Sequence, residues 1–160
     1  MNEKKIFDLL NEIADPEIPV ISIVDLGVIR KANIEGTHVE IVITPTYSGC
    51  PAMKQMEDDI RIKLLAVGFE SVKITTIYSP AWTTDWLSAD AKLRLQQYGI
   101  APPEESTTDK SFLSNKPKTV TCPRCKSQQT KMISQFGSTA CKALYQCQNC
   151  LEPFDYFKCI

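Results

Sequence analysis

The chain has 160 residues, 43% hydrophobic and 23% charged, with a formal net charge of −1; that is the composition of a globular protein and excludes a disordered one. The charge is uneven: residues 1–115 carry 11 Lys/Arg against 17 Asp/Glu, and residues 116–160 carry 7 against 2. No run approaches the roughly 20 apolar residues of a spanning helix, and residues 1–5 lack the apolar core of a secretory leader, so a cytoplasmic, membrane-free protein is expected.

Ile6, Leu9, Leu10 and Ile13 recur at helical spacing, and Asp15-Pro16 ends that helix. Residues 17–27 hold Pro19 and a Leu26-Gly27 step and read as a loop, unusually apolar, with an extended middle at 20–24. Val28 to Ile34, the Glu35-Gly36-Thr37 turn and the alternation of Val39, Ile41 and Ile43 with polar residues predict a hairpin with one buried face. Met53, Met56, Ile60, Leu64 and Val67 predict the main helix, stopped at Gly68. Val72, Ile74 and Ile77 supply a third strand. Trp82, the helix-starting Thr83, Thr84 and Asp85, and Leu87, Ala91 and Leu95 supply a last helix towards Gly99. The two tryptophans read as core or edge packing in preference to a recognition surface. The order α-β-β-α-β-α gives an α/β (α+β) protein, a small two-layer α/β sandwich with a three-stranded sheet over residues 1–101. Residues 102–117 are rich in Pro, Ser, Thr and charge without apolar periodicity and read as a linker. Residues 118–160 then form a separate zinc-ribbon-like β module.

That module carries the strongest motif. Cys122-Pro123-Arg124-Cys125 and Cys147-Gln148-Asn149-Cys150 are two CxxC turns with 21 residues between them. Each turn sets two sulfurs on one side of a tight loop, and two turns facing each other make the tetrahedral four-sulfur set preferred by zinc, or by a single iron. A structural metal is expected, since so small a module lacks a sufficient core. With seven cysteines and no leader, metal binding is favoured over disulfides. Four thiolates around one divalent metal cut the net charge of this end to about +3, too weak to track a phosphate backbone, so no nucleic-acid partner is expected. Cys141 and Cys159 are spare thiols, read as small buried hydrophobes.

Cys50 stands at the entrance of the main helix, where unpaired backbone N–H groups and the helix dipole favour a thiolate. The lone histidine, His38, lies by the Gly36 turn, so no base for a nucleophilic cysteine is apparent and no catalytic residue is assigned. Asp15, Glu17 and Asp25 serve turn chemistry and are also placed to line Cys50.

Asp15-Pro16-Glu17-Ile18-Pro19, Ile23-Val24-Asp25-Leu26-Gly27-Val28 and Thr44-Pro45-Thr46 with Gly49-Cys50-Pro51 resemble the SufT-like domain of iron-sulfur assembly factors. Tyr78-Ser79-Pro80-Ala81-Trp82-Thr83-Thr84-Asp85-Trp86, Phe136-Gly137-Ser138-Thr139-Ala140-Cys141-Lys142 and the CxxC pairs extend the likeness to PaaD-type proteins of bacterial phenylacetate degradation. The resemblance implies an accessory factor, not an enzyme, that assembles or delivers iron-sulfur clusters for the phenylacetyl-CoA epoxidase complex, with its iron-sulfur reductase as client. Cys50 would be the ligand or persulfide thiol for a transient cluster, with Asp15, Glu17, Asp25 and Thr44 as its neighbours. A homodimer sharing a cluster through Cys50 follows as an expectation. Two other readings stay open: a non-catalytic interaction subunit with a structural zinc ribbon, and a thiol-dependent redox enzyme.

Overall fold

The computed structural model describes residues 2–103 and 119–158. It divides into two compact units, Met1–Trp82 and Thr83–Ile160.

In the first unit the Asn2 side chain accepts the Lys5 N–H at 3.0 Å and starts helix α1, Glu3–Leu10, which buries Ile6 and Leu10. The helix stops at Asn11, before the expected Asp15-Pro16. From there Ile23 donates its N–H to the Ile13 carbonyl at 3.0 Å and Asp15 to that of Ile21 at 2.9 Å, which folds the apolar loop into a knot. Ile18, Ile21, Ile23, Leu26 and Val28 are all buried, which explains the loop's composition. Strands β1, Ile29–Glu35, and β2, His38–Ile43, form the expected antiparallel hairpin, with Gly36 at φ +61° in the turn. Helix α2, Ala52–Ala66, crosses over to β3, Ser71–Thr76, which pairs parallel with β2 to give the order β1-β2-β3. Val39, Ile41 and Ile43 of β2 are buried with Ile6 and Leu10 of α1 and Met56, Ile60 and Leu64 of α2. Each such side chain contributes about 1.5–3 kcal/mol, so this layer dominates the unit's stability.

On alternate positions of the same strands Glu40 accepts from Thr75 Oγ1 at 2.8 Å and Asn33 Nδ2 at 3.3 Å, and pairs with Lys73 Nζ at 2.7 Å. The bond from Lys73, followed by those from Thr75 and Asn33, lowers the Glu40 carboxyl from 4.5 to about 2. A depressed folded-state value stabilises the fold above the unfolded value. The stability difference between wild type and Glu40→Gln is therefore expected to be full above pH 4.5 and to vanish as pH falls through about 2. Urea titrations across that range check this, and a difference that grows on acidification would refute it.

The second unit opens with a 3-10 turn, Thr84–Trp86, and a separate helix α3, Ala89–Tyr98, where one continuous helix was expected. Leu87 is extended and Ser88 accepts the Ala91 N–H at 3.0 Å, so a new cap interrupts the run. Gly99, at φ +98°, ends α3, and the chain enters a two-residue strand β4, Ile100–Ala101. β4 pairs parallel with β7, Pro153–Phe157, at one edge of a sheet completed by β6, Lys142–Cys147, and β5, Thr130–Ser134, in the order β4-β7-β6-β5. The division of the structure thus falls at Trp82/Thr83, not at residue 101, because β4 takes its hydrogen bonds from the ribbon sheet. Of the expected linker, residues 104–117 lie outside the described residues, as does Cys159. Among the described residues, no helix is long and apolar enough to cross a membrane.

Candidate metal centre and the cysteine before the main helix

The two CxxC turns are built alike. Cys122 donates its N–H to the Ser127 carbonyl at 2.9 Å, and Cys147 donates to that of Glu152 at 3.0 Å. The residue after the second cysteine of each turn is left-handed, Lys126 at φ +63° and Leu151 at φ +63°, and so aims the next N–H back at sulfur. Ser127 N–H reaches Cys125 and Glu152 N–H reaches Cys150 in this way. Further N–H groups, of Asn149 and Cys150, lie 3.4 Å from Cys147 Sγ. Arg124 of one turn pairs with Glu152 of the other at 2.7 Å.

The four sulfurs lie within 4.8 Å of one another, with Cys122 and Cys150 at 3.8 Å and Cys125 and Cys147 at 3.5 Å. A tetrahedron with metal-sulfur bonds of about 2.3 Å has edges of about 3.8 Å, so the donor set fits a four-coordinate metal. Electrostatics agree: the Ser127 N–H, chiefly, lowers the Cys125 thiol to about 6. The Glu152 N–H favours ionisation of Cys150, but burial and the three neighbouring sulfurs carry that thiol up to about 12. Four such thiols cannot all ionise without a cation among them. Beneath them Cys122 and Cys147 pack with Ala101, Val120, Ala143, Tyr145, Phe154 and Tyr156. The Tyr145 ring stacks on Phe154 at 5.9 Å and meets Tyr156 edge-on at 5.7 Å. Cys141 is buried at the start of β6, its Sγ 3.0 Å from Thr139 Oγ1.

In the first unit Cys50 is half-buried just before α2, beyond the carboxyl end of β2, which runs parallel to β3. Glu17 is close enough for its charge to act on the thiol. Asp15 is buried and holds that segment, its Oδ1 accepting the N–H groups of Glu17 at 2.8 Å and Ile18 at 2.7 Å. Asp25 is turned to Ser22, accepting from its hydroxyl at 2.8 Å. Thr44 is buried and donates to the Ile77 carbonyl at 3.1 Å, clamping the ends of β2 and β3. The expected thiolate at the helix entrance is not what the environment favours. Burial, and secondarily the charge of Glu17, raise the Cys50 thiol above 9.0, against the Ala52 N–H and the hydroxyls of Tyr47 and Thr46 that bond to it. Neither hydroxyl was assigned a role from the sequence: Thr46 stood only as part of the Thr44-Pro45-Thr46 motif, and nothing but adjacency to Cys50 marked Tyr47. Trp82 is buried, donating its indole N–H to the Leu26 carbonyl at 2.8 Å, whereas Trp86 is partly exposed. His38 is exposed at the start of β2.

Two family models match: one described as "Iron-sulfur cluster assembly protein" over residues 3–76 and one described as "PaaD zinc beta ribbon domain" over residues 106–158. The chain is 51% identical, over 98% of its length and 92% of the other protein, to a protein of Escherichia coli K12 provisionally named as a subunit of 1,2-phenylacetyl-CoA epoxidase. It is 34% identical to the Staphylococcus aureus "Fe-S protein maturation auxiliary factor SufT", over 52% of this chain and 96% of that one. A crystal structure of a domain of unknown function, DUF59, from Bacillus anthracis matches 58% of the chain and 90% of its own with TM-score 0.54 and 26% identity.

Proposed function

Since the chain belongs to the PaaD-type family, in which an iron-sulfur assembly domain is joined to a zinc β-ribbon, we propose that it is a cytoplasmic accessory factor that assembles or delivers iron-sulfur clusters for a phenylacetyl-CoA epoxidase complex, with the complex's iron-sulfur reductase as its client. The observation that carries the reading is the position of Cys50: a half-buried thiol in the turn from β2 into α2, beside Glu17 and the hydroxyls of Thr46 and Tyr47. A carrier needs few and labile ligands, because a closed four-sulfur cage would retain its cargo. A thiol held protonated at rest serves that need: it releases its proton to solvent as iron arrives, and regains it when the cluster leaves. One such thiol per chain makes two copies the natural holder of a bridging cluster. The ribbon cysteines then hold zinc as a structural ion that supplies no chemistry of its own.

Anaerobic cluster reconstitution of wild type and Cys50→Ser, with zinc, iron and sulfide counted per chain, tests this. The expected result is one zinc in both proteins, with iron and sulfide taken up by wild type alone. Uptake that survives Cys50→Ser but is lost with Cys122→Ser would move the carrier site to the ribbon. The burial-raised Cys50 thiol also suits a second reading, an interaction subunit of the same complex in which Cys50 is structural; equal client activation by Cys50→Ser and wild type would select it.

A further inference from the structure

Residues 83–101 lie between the two matched stretches and were expected to close the first domain, yet their chain ends inside the ribbon. Ala101 is fully buried and packs in the cluster that contains Cys122 and Cys147. Among the described residues its strand β4 pairs with β7 alone, Ile100 opposite Asp155 and Ala101 opposite Tyr156. β7 in turn is set by the second cysteine turn: Glu152, which precedes it, accepts the Cys147 N–H and sends its own N–H to Cys150. β4 is therefore one strand removed from the metal cage.

We propose that the four-cysteine metal and the segment ending in β4 form one cooperative unit: the metal fixes β7, β7 holds β4, and loss of the metal releases β4 together with the C-terminal turn of α3. Neither piece is self-sufficient. Two residues make no strand without a partner, and a ten-residue helix is marginal in isolation. Within its unit the strand that α3 contacts is β4, through the Gly99 turn. Metal occupancy is thereby read out in the chain segment that leads away from Trp82, the residue with which the first unit ends.

Hydrogen exchange on the full-length, zinc-loaded protein, before and after chelation, tests the coupling. Amides of residues 95–101 are expected to lose protection together with residues 142–157, by about 100-fold or more, while α2 is unchanged, and added zinc restores both. Protection at 95–101 that outlasts its loss at 142–157 overturns the proposal. The reverse direction is read with Ala101→Asp, which sets a carboxylate in the cluster. It is expected to speed zinc transfer to a chromogenic chelator about tenfold or more, with Tyr98→Ala, at a 55% exposed position, matching wild type. Equal rates for Ala101→Asp and wild type would also overturn it.

Discussion

Replacing Cys147 by serine is expected to empty the ribbon of metal and to unfold β5, β6 and β7, leaving the three-stranded sheet of the first unit folded. The magnitude follows from what holds this module together. Its core is one small aromatic cluster, and Cys147 sits fully buried within it. Cys147 Sγ also receives the N–H groups of Asn149 and Cys150, so the second turn is built on that sulfur. Metal binding at such sites supplies about 10 kcal/mol of folding free energy, as much as the whole margin of about 5–15 kcal/mol that keeps an ordinary domain folded. Cys125→Ser, at the more exposed end of the first turn, should be milder and leave a weakened site. Zinc per chain and dispersion of the amide spectrum separate the cases. A Cys147→Ser protein that retains a full zinc equivalent and its β5–β7 signals would contradict the assignment.

The largest effect in the first unit is expected from Ile41→Ala. Ile41 is fully buried in β2, the central strand, and lies in register with Ala32 of β1 on one side and Ile74 of β3 on the other. Helices cover its face of the sheet, and the backbone on either side is pinned, so the site cannot collapse around the missing atoms. A cost of about 3–4 kcal/mol follows. Val42, the next residue, points to the opposite and less buried face; Val42→Ala should cost about 1 kcal/mol or less. Urea denaturation followed at Trp82, which lies in this unit, gives both values. Zinc content should not change with Ile41→Ala; parallel loss of zinc would mean that the two units do not fold independently.

How far the sequence could be read depended on the range of the interaction concerned. The hairpin was legible because Val39, Ile41 and Ile43 alternate with polar neighbours and Gly36 marks the turn, both local signals. The convergence of Cys122, Cys125, Cys147 and Cys150 was legible because CxxC spacing constrains sulfur positions within each turn. Nothing in the alternation of Val72 and Ile74 states whether β3 runs parallel or antiparallel to β2; the crossover through α2 decides that. The break at Leu87-Ser88 was missed because Trp82 to Leu95 keeps a helical apolar rhythm across it, and only the Ser88 cap interrupts the backbone. β4 has two residues, below the length at which any period exists. At Cys50 the position was legible and the protonation was not: a helix entrance lowers a thiol, but here burial outweighs it, and burial belongs to the tertiary structure. The likeness to PaaD-type proteins carried the functional reading further than any single residue did.

The paired cysteine turns give the metal cage an inside and an outside. Cys122 and Cys147 are sealed beneath the aromatic cluster, whereas Cys125 and Cys150 lie towards the surface. A competing chelator, an electrophile or an oxidant would therefore meet Cys125 or Cys150 before the buried pair. The inner pair would keep hold of a bound ion while an outer sulfur is displaced, so stepwise exchange is the expected course. The kinetic durability of a loaded ribbon would then depend on how quickly the two outer sulfurs rebind, as well as on its overall affinity.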